Sequence, residues 1–143
     1  LKLTDFQAAI GVAQLRKLPH FIKKRKENFE SLYSFFKKYE QFFILPEWKG
    51  NPCWFGFMVV LKDCPFTRLN MVTFLEEKGI GTRLLFAGNI LKQPAYLHLK
   101  NKELPNTDKI MNDGFWIGVW PGISNDMIQY IKKSLDDFLS IYL

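Results

Sequence analysis

Cysteine and histidine are scarce: 143 residues carry only Cys53, Cys64, His20 and His98. A four-ligand zinc or iron–sulfur site would need all of them together, and their spacing fits no metal motif. Two cysteines can close one disulfide, but they do not make the framework of a secreted scaffold. No apolar run approaches the ~20 residues that span a bilayer. The opening Leu1-Lys-Leu-Thr4 has no methionine and no secretory pattern, which suggests a piece cut from a larger cytoplasmic protein. No internal repeat and no low-complexity segment occurs. No Ser/His/Asp set, no Cys/His pair in suggestive context and no close pair of carboxylates emerges, so a complete catalytic apparatus is not expected. His98 sits in a polar loop and reads as solvent-exposed.

Apolar side chains, by contrast, are plentiful. Hydrophobic residues make up 48% and aromatics 16%, enough for a core and incompatible with disorder. Phenylalanine alone contributes 14 residues, so the chain carries more apolar surface than a free domain of its size readily buries. The net charge is +6, with four positive charges in Lys23-Lys-Arg-Lys26. A basic run can be a nucleic-acid patch, but Glu27, Asn28 and Glu30 follow at once, so a solvated helix face is the favoured reading.

Thr4 suits the N-cap of a first helix whose Phe6, Ala9, Ile10 and Ala13 share a face. Small residues there (Ala8, Gly11, Ala13) would let another backbone approach closely. Pro19 suits the first turn of a long helix over 19–44, with Ile22, Phe29, Phe36 and Phe43 recurring every seven residues. Residues 54–62 read as a strand with an apolar run at Val59, Val60 and Leu61. A helix over 67–78 follows, closed by Gly79, and then a strand over 80–86. Residues 87–105 read as loop with a short helical turn near 93–97. Asn106-Thr-Asp108 reads as a further helix cap, residues 115–119 as a strand, and Ser124 as the cap of a last amphipathic helix. This order implies a small α/β sandwich, helices packed on a short antiparallel or mixed sheet.

The richest stretch for chemistry is Gly81-Thr-Arg-Leu-Leu-Phe-Ala-Gly-Asn-Ile-Leu-Lys-Gln-Pro94. Arg83 stands among apolar neighbours, so a partly buried guanidinium in need of a partner is expected. A carboxylate or phosphate ligand and an internal salt bridge both satisfy it. Gly88-Asn89 permits a tight turn and offers an amide, and Lys92 and Gln93 add donors. The segment is not a classical phosphate loop. Trp54-Phe-Gly-Phe57, Trp116 and Trp120 could stack bases, but core and sheet-edge roles are favoured.

Several segments together resemble one family. Leu3-Thr-Asp-Phe-Gln-Ala-Ala-Ile-Gly-Val-Ala-Gln-Leu15 is similar to the helix that follows the large domain of DegT-type sugar aminotransferases. Trp54-Phe-Gly-Phe57, Gly79-Ile-Gly-Thr-Arg-Leu-Leu-Phe-Ala-Gly-Asn89, Gln93-Pro94, Leu104-Pro-Asn-Thr-Asp108 and Phe115-Trp-Ile-Gly118 resemble CDP-4-keto-6-deoxyglucose 3-dehydrases of the RfbH type. The resemblance implies the C-terminal small domain (19–143) of a type I PLP-dependent, aspartate aminotransferase-like fold, with residues 1–18 leading in from a large cofactor domain. It implies a full-length homodimeric enzyme of lipopolysaccharide deoxysugar synthesis using PLP/PMP and a [2Fe-2S] cluster fed by a reductase. Cofactor and cluster would be held outside this chain, which alone would be inactive. Arg83, Phe86, Asn89 and Gln93 match the motif that would line the nucleotide-sugar entrance, Arg83 on the diphosphate and Asn89 on sugar or backbone. Two rivals remain: a sugar aminotransferase of the same family, and a stand-alone basic module binding nucleic acid. Neither a nucleic acid nor a membrane is expected as a partner under the leading reading.

Overall fold

The computed structural model describes residues 2–99 and 102–143; Leu1, Lys100 and Asn101 lie outside the described residues. Five α-helices and four strands occur among the described residues. In order they are α1 (Asp5–Leu15), α2 (Leu18–Phe36), β1 (Phe43–Ile44), β2 (Gly56–Leu61), α3 (Arg68–Glu77), β3 (Thr82–Arg83), α4 (Pro105–Asp113), β4 (Gly114–Gly118) and α5 (Asn125–Leu139). Short 3-10 helices fill in at Lys37–Tyr39, Ile90–Lys92, Pro94–Leu99 and Ser140–Tyr142.

Local chemistry explains where the helices start and stop. Thr4 accepts from the Gln7 amide while the Gln7 side chain accepts from the Thr4 amide, a reciprocal capping box. Thr67 and Asn70 repeat the device at α3, and Ser124 caps α5 through the Met127 amide. Beyond α3, Gly79 adopts φ +72°, its amide donating to Glu76 O and that of Ile80 to Leu75 O. That is the paired-bond ending in which a left-handed glycine satisfies the last carbonyls. Helix α4 differs from the expected cap at residues 106–108. It begins at Pro105, whose missing N–H costs nothing in a first turn, and no side chain caps it.

The strands form one antiparallel sheet in the order β1-β2-β4-β3. Alternation sends Phe57, Val59, Leu61, Phe115 and Ile117 to one face, all buried. Helices α2 and α3 cover that face, and α5 packs across both helices. Phe29, Leu32 and Phe36 of α2, Met71 and Leu75 of α3, and Leu135, Phe138 and Leu139 of α5 complete the core. Trp54 is half-buried and stacks on Phe29 at 4.1 Å, so this tryptophan packs against the core, in line with the favoured reading. Helix α4 contacts β2 and β4, and Ile110 shares a cavity of about 340 Å³ with Ile44, Met58 and Val60 of the sheet's other face.

The expected helix over 19–44 is too long. It stops at Phe36, passes through one 3-10 turn, and reverses so that Phe43 pairs with Leu61 in β1. Phe36 and Phe43 still meet, ring centroids 4.9 Å apart, but through the reversal rather than along one helix. Helix α1 buries no residue within the described chain, and Phe6 is 76% exposed.

Near the end of this first segment, the Tyr39 hydroxyl donates to the Asp136 carboxylate of α5. That bond, with burial, pushes the Tyr39 pKa up to about 12. A tyrosine raised in the folded state stabilises fully below its unfolded value near 10 and loses that contribution as pH rises toward about 12. Urea unfolding should therefore show an alkaline loss of stability over this window that Tyr39→Phe lacks. Equal alkaline losses in the two proteins would contradict the contact.

Candidate functional site

Strand β3 is shorter than expected, and the reason is local. After Arg83 the chain curls: the Phe86 amide bonds to Leu84 O and the Gly88 amide to Leu85 O. Phe86 takes φ +45° and Gly88 φ +66°, both left-handed, which no strand continues through. Gly88 is required on two counts. Its φ favours glycine, and an added Cβ would stand 2.4 Å from Met111 Cγ of α4. Gly88→Ala should cost about 1–3 kcal/mol, read as a lowered thermal midpoint. An unchanged midpoint would contradict the tight fit.

The four nominated residues separate into two pairs. Asn89 is 3% exposed and fully engaged. Its Nδ2 donates to Asp108 Oδ1 at 2.7 Å, and its Oδ1 accepts from the Leu91 amide at 3.0 Å. Lys92 Nζ joins the same Asp108 oxygen at 2.9 Å. The hydrogen bonds from Asn89 and then Lys92 hold the Asp108 carboxyl below the usual carboxylate range. Gln93 Nε2 donates to Ala87 O at 2.6 Å. Asn89 and Gln93 thus hold the loop to itself and to α4.

Arg83 and Phe86 instead face outward. Arg83 is exposed, correcting the expectation of a partly buried guanidinium, because β3 is an edge strand and Arg83 lies on its outer side. The guanidinium donates to Thr82 O at 2.7 Å and makes no salt bridge among the described residues. Thr82 takes up the nearby acid: its amide and hydroxyl donate to Glu76 at 2.6 and 2.8 Å. Those two bonds first, and the Arg83 charge last, keep the Glu76 carboxyl low. Phe86 is 78% exposed.

Arg83 has a neighbour that the sequence reading passed over as core or edge. Trp116 of β4 sits directly opposite it across the sheet. Phe115 and Ile117 point into the core, so the alternation of the strand already puts residue 116 on the outer face. Trp116 is half-buried, its Nε1 donating to Leu84 O at 3.1 Å, with Phe55 packed 5.1 Å away.

The basic run is occupied. Lys23 and Lys24 pair with Glu27, Arg25 donates to the Trp54 and Phe55 carbonyls, and Lys26 donates to Asn51. A solvated, internally paired helix face fits this better than an anion patch. Cys53 and Cys64 are both free thiols, and burial pushes the Cys64 thiol up. No group of three His, Cys, Asp or Glu that could hold a metal occurs among the described residues, so they do not fit an iron–sulfur cluster. Lys92 and Asp108 line a pocket of about 400 Å³ and are paired with each other at 2.9 Å. No helix among the described residues is long and apolar enough to cross a membrane.

A profile of the DegT/DnrJ/EryC1/StrS aminotransferase family matches residues 1–136. The chain belongs to this family. It is 43% identical to the Salmonella typhimurium "Lipopolysaccharide biosynthesis protein RfbH", over 99% of this chain and 34% of that protein. Among solved structures, E. coli GDP-4-keto-6-deoxy-D-mannose-3-dehydratase with bound hydrated PLP superposes with TM-score 0.79 and 30% identity, over 90% of this chain and 34% of that one. A GDP-4-keto-6-deoxymannose-3-dehydratase mutant with bound GDP-perosamine gives TM-score 0.76 and 29% identity, again over 90% of this chain and 34% of that one. The chain thus spans about a third of the length of these relatives. The α/β architecture expected from the sequence is the fold that this family places in that third.

Proposed function

We propose that residues 19–143 form the C-terminal small domain of a PLP/PMP-dependent nucleotide-sugar 3-dehydrase, with residues 1–18 leading in from a cofactor-binding domain. The proposed substrate is CDP-4-keto-6-deoxyglucose, in deoxysugar and lipopolysaccharide biosynthesis. The observation that carries this is the 43% identity to RfbH across 99% of the chain. The exposed apolar face of α1 supports the lead-in role, since a helix with no buried residue needs a surface to cover it. In this reading PLP/PMP and a [2Fe-2S] cluster are held outside residues 1–143, a reductase supplies electrons, and the full-length enzyme is a cytoplasmic homodimer.

Within this chain the loop 84–93 lines the nucleotide-sugar entrance. Arg83 meets the diphosphate, because its guanidinium is exposed and has no acidic partner at salt-bridge distance among the described residues. Phe86 borders the entrance, while Asn89 and Gln93 position its backbone.

The test is the coding sequence ahead of Leu1. A large domain with histidine at the cofactor-lysine position and a set of cysteines is expected. Lysine there, without those cysteines, would turn the reading to a sugar aminotransferase. Absence of a large domain would overturn both.

A further inference from the structure

The outer face of the sheet holds one tryptophan whose position is fixed from several sides. The Trp116 indole donates its N–H to Leu84 O at 3.1 Å. It runs over Gly56, where an added Cβ would stand 2.4 Å from Cε3 of the ring. Any residue but glycine at 56 would displace the indole, so the strand opposite is shaped to its lie. Phe55, 66% exposed, flanks it with ring centroids 5.1 Å apart and planes tilted by 56°. The core does not need this ring: Phe115 and Ile117 on either side already fill the inner face. An exposed arginine stands directly across the ladder, where opposed Cβ atoms lie about 5 Å apart. A pre-oriented, half-buried aromatic plane beside an exposed arginine that makes no salt bridge among the described residues matches a ligand with a flat ring joined to an anion.

The geometry points to Trp116 as the floor of a nucleoside-diphosphate subsite, the nucleobase stacking on the indole while the diphosphate meets Arg83. This rests on the nucleotide-sugar reading above and adds to it the residue that holds the base. The Trp116–Leu84 bond ties the floor to the loop that carries Phe86, so floor and entrance keep one geometry. Stacking tolerates every base, and base choice therefore comes from elsewhere.

The experiment is calorimetric titration of the full-length protein with CDP, GDP, dTDP and inorganic pyrophosphate, for wild type, Trp116→Phe and Trp116→Ala. The expected result is a loss of nucleoside-diphosphate affinity of about tenfold or more in Trp116→Ala. Trp116→Phe should stay within about threefold, and pyrophosphate should bind all three alike. Should Trp116→Ala fail to fold, fluorescence decides: nucleotide should quench wild type and leave Trp116→Phe, which still binds, unquenched. Unchanged nucleotide affinity in Trp116→Ala, a parallel loss for pyrophosphate, equal quenching in wild type and Trp116→Phe, or no binding of any nucleotide would overturn the subsite. The two readings fail separately. Stacking with a lysine at the cofactor position would keep the subsite and remove the dehydrase, and dehydration with no Trp116 effect would do the reverse.

Discussion

Phe57→Ala should destabilise the fold by about 3–5 kcal/mol, the usual cost of emptying a buried phenylalanine site. Phe57 is completely buried in β2, with rings of Phe29 and Phe36 at 5.2 and 5.1 Å. Those neighbours belong to α2, and each is held by other rings, Phe29 by Trp54 and Phe36 by Phe43. They are not free to collapse into the space, so the cavity term adds to the lost burial. A loss of this size is a large part of the roughly 5–15 kcal/mol that separates folded from unfolded domains. With a urea slope of about 1–3 kcal/mol per molar, the midpoint should fall by about 1 M or more. The neighbouring Phe55, 66% exposed, provides the contrast: Phe55→Ala should stay within about 1 kcal/mol. Equal effects at the two positions would contradict the burial of Phe57 and the exposure of Phe55.

Arg83→Ala in the full-length enzyme should raise KM for the nucleotide sugar by about tenfold to a hundredfold. Charge-assisted hydrogen bonds to a diphosphate contribute about 1.5–3 kcal/mol, which sets that range. The fold should hardly notice, because the side chain is exposed and its one hydrogen bond among the described residues goes to the adjacent Thr82 carbonyl. Arg83→Lys should recover part of the loss, since an ammonium keeps the charge but not the paired geometry of a guanidinium. Steady-state kinetics with melting curves of each variant separate the outcomes. An unchanged KM would remove Arg83 from the diphosphate site, and a lowered melting point with a raised KM would make its role structural.

Legibility of the sequence follows the range of the interaction. Caps act over three residues, so Thr4, Thr67, Ser124 and the glycine ending at Gly79 could all be read from local spacing. The buried run in β2 and the alternation of β4 were readable for the same reason. Phe43 was misleading because a seven-residue spacing fits a helix stripe and also fits a chain that folds back onto itself. Only its partner Leu61, 18 positions away, settles which. The end of β3 depends on the left-handed turn at Phe86 and Gly88, and that turn depends on room left by Met111 of α4. Arg83 was expected to be partly buried because its neighbours are apolar. Those neighbours leave the strand direction after residue 83, and the outer face of an edge strand is open. Asp108 was read as a helix cap and serves instead to anchor Asn89, 19 residues earlier. The family motif singled out this loop, but a motif marks positions without saying which side chains face outward and which hold the turn.

The most direct measurement is the fate of the sugar in the full-length protein. It would be incubated with CDP-4-keto-6-deoxyglucose, pyridoxamine phosphate, nitrogen-labelled glutamate, and a reductase together with the two-electron reductant that feeds it, and the products followed by mass spectrometry. The expected result is loss of the 3-oxygen as water and a 3-deoxy sugar nucleotide, with no nitrogen carried over from labelled glutamate. A labelled amino sugar with the 3-hydroxyl intact would contradict it.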